Sequence, residues 1–236
     1  MDREISGLSS MATRTVLAEL TEHIRLAHGR RVRFDSAGGV EIARRVRHGA
    51  ESDVLVLAEG ALAGLAKEGY VLGDTVRPLW VSQVVAAVPE GTPVPALRSE
   101  SDLRTALLSA KRIAYSTGPS GTALIDLITR LELADTLQGR LVQASPGVPA
   151  GTLLSSGRAD LAFQQHSELM DLPGVVIVGP LPDGSAISST FSGGVLAVSS
   201  QPSRAREVLD LLGSDAASKT ARTKGMRAPG DQSPSA

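Results

Sequence analysis

Three short segments rich in hydroxyl-bearing and small residues stand immediately before predicted helices. They are LSSMAT (Leu8–Thr13), DSAGG (Asp35–Gly39) and STGPSGTA (Ser116–Ala123). A helix N-terminus leaves backbone N–H groups unpaired and carries partial positive charge. Small residues let an anion approach that backbone, and hydroxyls add donors. Each segment alone is also compatible with ordinary capping and turn chemistry. As a set, the three segments favour an anion site.

A fourth polar segment, QQHSE (Gln164–Glu168), follows the predicted strand DLAFQ. Amides and imidazole both donate and accept hydrogen bonds, so this segment can orient a ligand or move a proton. His166 is a candidate general base with Glu168 as its orienting partner, although residues two apart do not face each other on a helix. Helix capping by Ser167 and a hinge-lining role are equally compatible with the same letters.

The composition excludes several functional classes. Hydrophobic residues make up 42% of the 236 residues and aromatic residues 3%, so Val, Leu, Ile and Ala must fill the core. The net charge of −1 argues against an electrostatic nucleic-acid binder. The absence of cysteine excludes disulfides, thiol catalysis and cysteine-based metal sites. The four histidines lack metal-ligand spacing, and no nucleotide-binding or serine-hydrolase motif is present, so we expect no metal or cofactor.

Strand-like and helix-like segments alternate along the chain, which predicts an α/β fold with a mostly parallel sheet and helices on both faces. Ligands of such sheets bind beyond the carboxyl ends of the strands, where the four segments lie. Ser101 is the expected N-cap of a helix, and the last ten or so residues are expected to be disordered. The principal predicted elements are strands at Arg31–Phe34, Val54–Ala58 and Val81–Val88 and helices at Ala12–His28, Val40–His48, Thr122–Leu133 and Val148–Ser155.

The N-terminal sequence MDREISGLSSM has neither the positive start nor the apolar stretch of a signal peptide. No stretch approaches the roughly 20 apolar residues of a membrane span. We therefore expect a cytoplasmic protein, or a periplasmic or extracellular one if the chain has been trimmed.

The order of several motifs resembles that of the molybdate-type solute-binding proteins of ABC transporters. The resemblance is carried by the segments beginning at Gly49 (GAESDVLVLAEGALAGLAKEGYV), Ala110 (AKRIAYSTGPSGTA), Ser155 (SSGRADLAFQQHSEL) and Gly174 (GVVIVGPLPDG) and by GMRAP near the C-terminus. It is closest to a branch that carries a QQxSEL segment where authentic molybdate binders carry a tyrosine-containing one.

The resemblance implies a type II periplasmic-binding-protein fold, with two Rossmann-like lobes and a ligand cleft between them. Lobe 1 would comprise residues 1–82 and 190–236 and lobe 2 residues 83–189, joined by crossing strands near Ser82–Val85 and within Gly179–Ser192. The residues that match family ligand positions are Ser9, Ser10, Ala12, Ser36, Ala37, Ser120, Gly121, Thr122, Val148 and Gln165.

This sequence departs from the family pattern at several donor positions. Ala12 stands where molybdate binders have a serine, and Gln165 stands where they have a tyrosine. Molybdate is therefore one candidate anion beside small carboxylates.

Three functions remain open at this point. The first is binding of a small oxyanion or carboxylate. The second is isomerisation of an unsaturated di- or tricarboxylate, as in aconitate isomerases, with Tyr115, His166 and Glu168 as candidate proton-transfer residues. The third is a cytosolic anion sensor. The expected partners are a small anionic ligand and, if the chain is exported, a transporter permease. We expect no nucleic-acid partner and a monomer or weak dimer.

Overall fold

A computed structural model describes residues 3–231 of the chain. In chain order its strands are β1 (Ile5–Ser10), β2 (Val32–Ala37), β3 (Val54–Ala58), β4 (Arg77–Pro89), β5 (Ile113–Tyr115), β6 (Leu141–Gln143), β7 (Leu161–Gln165), β8 (Val175–Pro180), β9 (Ser188–Val195) and β10 (Met226–Arg227). The α-helices are α1 (Arg14–His28), α2 (Gly39–Arg47), α3 (Glu59–Lys67), α4 (Glu100–Ser109), α5 (Pro119–Arg130), α6 (Ala134–Leu137), α7 (Thr152–Ser155), α8 (His166–Leu169), α9 (Pro202–Leu212) and α10 (Asp215–Thr223).

The described chain divides into two compact units. Unit 1 contains residues 3–82 and 189–231, and unit 2 contains residues 83–188. In unit 1 the strands β2, β1 and β3 are parallel neighbours, and β9 pairs with β3 in the antiparallel sense. In unit 2 the strands β6, β5 and β7 are parallel neighbours, and β4 pairs with β7 in the antiparallel sense. Each unit therefore repeats one arrangement.

Each sheet is covered by helices on both faces, because its strands are apolar on both sides. In unit 1 one face packs against α1 and α9, through residues such as Leu17 and Leu209. Its other face packs against α2 and α3, through Ile42 and Leu62. Strand β3, predicted from the letters VLVLA, is buried in all but its last residue and lies between these two cores.

Unit 2 has the same layering. One face of its sheet packs against α4 and α5, through Leu103 and Leu124. The other face packs against the short helices α7 and α8, through Leu153 and Leu169. No helix in residues 3–231 has the length and apolar character needed to span a membrane.

Several predicted details were wrong. The sheets contain antiparallel pairs made by β4, β8, β9 and β10, so they are less parallel than the alternation of segments predicts. The N-cap of α4 is Ser99 rather than Ser101. Its side chain accepts a hydrogen bond from the backbone N–H of Asp102, whose carboxylate completes a capping box.

Regular structure continues close to the C-terminus. Residues 215–223 form α10, and Met226 and Arg227 pair with β4. Arg222 forms an ion pair with Asp231. The remaining expectation of disorder falls on residues 232–236, which lie outside the described residues.

Candidate functional site

The first group of candidate residues lies at the carboxyl ends of β1 and β2. These strands pair in parallel with Ser9 opposite Ser36 and Ser10 opposite Ala37. The hydroxyl oxygens of Ser9 and Ser36 are 2.7 Å apart and share a hydrogen bond. Ser9 is 0% exposed, whereas Ser36 is half-buried. The segment Asp35–Ala37, predicted as loop, thus belongs to β2, and its extended backbone aligns the two hydroxyls.

The chain enters a helix directly after each of these strand ends. A single 3₁₀ turn (Met11–Thr13) leads from β1 into α1, and Gly38 is the N-cap of α2. Ala12 is buried against the core beside α1, so its methyl group supplies packing and no side-chain donor. Thr13, which was not among the candidate residues, donates its hydroxyl to the carbonyl oxygen of Ser10 over 2.9 Å and closes the turn.

The second group lies at the carboxyl end of β5. The hydroxyl oxygens of Ser116 and Ser120 are 2.9 Å apart and share a hydrogen bond. Ser120 is 7% exposed and Ser116 is half-buried. Ser116 was missing from the predicted ligand residues, although it lies in the predicted segment and its spacing of four from Ser120 is that of neighbours across a helical turn.

Helix α5 begins at Pro119, three residues before the predicted start. Proline is favoured at the first helical position because its fixed φ suits the helix and no N–H is lost there. Ser120, Gly121 and Thr122 therefore form the first turn, with Thr122 exposed at its surface. The backbone N–H groups of Gly121 and Thr122 both donate to the carbonyl oxygen of Gly118, at 2.9 and 3.2 Å.

Gly121 allows this first turn to lie directly against the end of β5. A β-carbon built at Gly121 would overlap the carbonyl oxygen of Ser116, and it would lie 3.1 Å from the Cδ2 atom of Tyr115. Only glycine fits this approach. The tyrosine ring, which packs against the core on this face, therefore supports the helix terminus from beneath.

Gln165 ends β7 on the face of the sheet that α5 covers. Tyr115 pairs with Phe163 in parallel, and both residues pack in the core beneath α5. Side chains alternate along a strand, so Gln165 shares that face, and it is 3% exposed. Gln164 points to the opposite face, where its Oε1 accepts a hydrogen bond of 2.6 Å from the backbone N–H of Ala150. Gln164 thus joins β7 to the loop after β6 by a hydrogen bond, a role that the sequence did not suggest.

Val148 lies in that loop and not in a helix, because α7 covers only Thr152–Ser155. Its backbone N–H, predicted to bind ligand, donates to the carbonyl oxygen of Ser145 over 3.0 Å. Its side chain is 43% exposed. A ligand bond from this amide requires the turn to open, and its role as a ligand stays a prediction.

The candidate proton-transfer residues lie near the same strand ends of unit 2. Tyr115 ends β5, and His166 opens α8 directly after Gln165. Burial lowers the pKa of His166 from its ordinary value, because desolvation disfavours the charged imidazolium. Glu168, two residues further along the chain, is half-buried. A neutral imidazole is the form that can accept a proton.

In the described part of the chain, neither serine pair is bonded to a cationic side chain. Within residues 3–231 the hydroxyls of the two pairs bond only to each other. Asp35, which precedes Ser36 in the sequence, forms an ion pair with Arg45 at 2.7 Å. Hydroxyl and amide groups are therefore the donors at both strand edges.

Comparison with known proteins agrees with this architecture. A family model described as bacterial extracellular solute-binding protein matches residues 5–227. A protein named aconitate isomerase from a Pseudomonas species is 31% identical over 187 residues, which cover 79% of this chain and 71% of that protein.

Solved structures resemble the chain over nearly its whole length. The periplasmic molybdate-binding protein of Azotobacter vinelandii has a TM-score of 0.81 at 20% identity, covering 96% of this chain and 100% of that one. The sulfate-binding protein SubI of Mycobacterium tuberculosis has a TM-score of 0.79 at 17% identity, covering 96% and 87%. These likenesses show a type II periplasmic-binding-protein fold, and the chain belongs to the family of bacterial extracellular solute-binding proteins.

Proposed function

We propose that this protein binds a small anion, an oxyanion or a small carboxylate, at the carboxyl ends of its parallel strands. The observation that carries the proposal is the occurrence of a hydrogen-bonded serine pair at that edge in each unit, Ser9 with Ser36 and Ser116 with Ser120. Family membership supports a solute as the ligand.

The electrostatics of these edges suit a negative ligand. Helices α2 and α5 start beside the serine pairs with their first-turn N–H groups and positive dipole ends. Hydroxyl donors next to such termini bind anions without a fixed positive charge. A ligand held in this way exchanges its hydration shell for several preorganised donors, which favours anions that accept at many oxygens.

The donor positions favour a carboxylate over molybdate. Ala12 places a methyl group at a position that carries a serine in molybdate binders, and Gln165 replaces a tyrosine. An amide both donates and accepts, so Gln165 suits an organic acid with hydroxyl or carboxylic groups as well as an oxyanion.

Isothermal titration calorimetry against molybdate, tungstate, sulfate, phosphate, citrate and trans-aconitate tests the proposal. We expect one of these anions to bind, and we expect Ser36→Ala and Thr122→Ala each to weaken binding roughly 10- to 150-fold, as for hydrogen bonds to a charged group. Thr129→Ala is the matched control, because Thr129 is an exposed threonine on the same helix whose hydroxyl bonds Ile125. Absence of heat with every anion, or an equal effect of the control, would argue against the proposal.

A second candidate function is isomerisation of an unsaturated tricarboxylate. It is favoured by the 31% identity to a protein named aconitate isomerase. In such a reaction a base removes a proton from the methylene carbon next to a carboxylate and the double bond. The electron pair delocalises over three carbons, and the proton returns at the far end while the double bond shifts. No atom or electron is gained or lost. His166 in its neutral form suits the base, with Tyr115 or Glu168 as the acid.

Proton NMR of cis- and trans-aconitate in D₂O distinguishes an isomerase from a binder. An isomerase would interconvert the two acids and introduce deuterium at the methylene carbon, and His166→Ala would abolish both changes. The matched control is His48→Ala, because His48 is exposed at the end of α2. If the protein binds aconitate without isomerising it or exchanging its protons, the isomerase function is contradicted and the binding function stands.

A further inference from the structure

In each serine pair one member is buried and the other reaches the protein surface. Ser9 is 0% exposed and Ser120 is 7% exposed, whereas their partners Ser36 and Ser116 are half-buried. Each unit thus pairs one buried serine with one half-buried serine, although the two pairs are built from different elements. Ser9 and Ser36 lie on neighbouring strands, whereas Ser116 and Ser120 are joined by a strand-to-helix turn.

Burial decides the direction of the hydrogen bond within each pair. A hydroxyl has one proton to donate and two lone pairs to accept. Within residues 3–231 the only side-chain partner of Ser9 is Ser36. If Ser36 donated to Ser9, the proton of Ser9 would be left buried without an acceptor, which is costly. If Ser9 donates instead, its proton is satisfied.

The favourable direction leaves the proton of the outer serine available. Ser36 then accepts from Ser9 and can donate outward, and Ser116 stands in the same relation to Ser120. A hydroxyl that accepts a hydrogen bond becomes a better donor, because chains of hydrogen bonds polarise one another. A deprotonated carboxylate or oxyanion oxygen only accepts, so it selects this same direction.

We propose that Ser9 and Ser120 are positioning residues that act through Ser36 and Ser116, each orienting and polarising the hydroxyl that donates to the ligand. This inference rests on the proposed anion-binding function. It assigns the buried serines no ligand contact of their own, in contrast to the role that the family resemblance implies for them.

A double-mutant cycle with calorimetry tests this inference on the whole chain. With the anion that binds wild type most tightly as the probe, we expect Ser9→Ala to weaken binding roughly 3- to 10-fold. In the Ser36→Ala background the same change is expected to weaken binding less than 2-fold, because the donor that it polarises is gone. A purely structural role would give the same factor in both backgrounds.

Two further variants keep the test independent of folding defects. Ser52→Ala is the matched control, because it breaks another pair of a buried and a half-buried serine, Ser52 with Ser6 at 3.3 Å, at the opposite end of the same sheet. It is expected to leave affinity unchanged. Ser120→Thr keeps the hydroxyl and is expected to bind within 2-fold of wild type, whereas Ser120→Ala binds 3- to 10-fold more weakly.

The outcomes separate the two proposals. If the wild-type protein binds none of the anions, the binding function and the positioning role of Ser9 and Ser120 are both overturned. If the wild type binds an anion but Ser9→Ala behaves like Ser52→Ala, only the positioning role is overturned. The same holds if Ser9→Ala has equal effects in both backgrounds.

Discussion

At the scale of single residues, a buried carboxylate anchors the end of the unit 1 sheet opposite the serine pair. Asp53 is 6% exposed and precedes β3. Its Oδ2 accepts from the backbone N–H of Ser6 at 3.0 Å, and its Oδ1 accepts from the hydroxyl of Ser199 at 2.6 Å. Neutral donors from β1 and from the loop before α9 thus converge on one carboxylate, which explains how it is buried with no cationic partner among residues 3–231.

Replacing Asp53 by asparagine tests this anchor. We expect Asp53→Asn to lower the free energy of unfolding by about 2 kcal/mol, because an amide NH₂ faces donors and the charge-assisted bonds are lost. Urea denaturation followed by circular dichroism measures the change. Glu51→Gln, an exposed neighbour two residues away, is the control. Equal effects of the two substitutions would contradict the anchor.

His166 links stability to pH. Its pKa lies below the ordinary value because the imidazole is partly buried. The folded state therefore resists a proton that the unfolded state accepts, so stability is lost as pH falls below about 6.5 and through the lower folded pKa. We expect His166→Gln to remove this part of the pH dependence as pH falls from neutral through the lowered folded pKa, measured as the unfolding free energy at each pH. The other histidines are present in both proteins. If the unfolding free energies of wild type and His166→Gln changed with pH in parallel, the imidazole of His166 would not be desolvated in the folded state.

At the scale of elements, the start of α5 is the feature on which the unit 2 site depends most closely. The helix begins where Pro119 permits it, and Gly121 lets its first turn lie against β5. The serine pair of this unit spans that junction. Any displacement of the helix terminus therefore separates the hydroxyls that the strand end and the helix contribute.

Gly121→Ala tests the close approach. Its β-carbon would meet the backbone of Ser116, which has no rotamer to yield, so we expect a loss of about 1–3 kcal/mol in unfolding free energy and a weaker ligand affinity. Gly64→Ala in α3 is the matched control. A β-carbon there meets nothing within 4 Å, and we expect a gain of about 0.5–1 kcal/mol from helix propensity. If Gly121→Ala stabilised the protein as Gly64→Ala is expected to, the packing argument would be refuted.

Element types were more predictable than element boundaries. The strand β3 matches the predicted Val54–Ala58, because a run of apolar β-formers between a charged turn and a helix has few alternatives. Helix α10 was missed, since its buried residues include only Ala217, Thr220 and Ala221, which give a weak hydrophobic period. Its stability comes from packing against the core that also contains α1, which the local sequence does not reveal.

At the scale of the whole molecule, the two units repeat one design that the sequence does not display as a repeat. In unit 2 the carboxylate of Asp160 accepts from the backbone N–H groups of Lys111 and Arg112, at 2.8 and 2.6 Å. It thus ties the start of β5 to the start of β7, as Asp53 ties β1 to β3. Equivalent anchors lie at one end of each sheet and equivalent serine pairs at the other.

Ligand binding is expected to stabilise the whole chain by mass action. An anion present at about 100 times its dissociation constant adds about 2.7 kcal/mol, which for a chain of this length raises the melting temperature by roughly 5–10 °C. Differential scanning calorimetry with the anion identified by titration measures the shift. Chloride at the same ionic strength is the control, and an equal shift with chloride would indicate a salt effect and no specific site.

The sequence by itself determined the α/β class, the small-residue segments before helices and the family resemblance, because apolar periodicity, capping residues and motif order are local properties. The tertiary structure alone decided which hydroxyls meet. Ser9 and Ser36 are 27 positions apart and become neighbours only through the register of β1 and β2. The pairing of Ser116 with Ser120 required the helix to begin at Pro119. Burial, which sets the direction of a hydrogen bond and the pKa of His166, arises from packing between distant segments and is therefore absent from any local pattern.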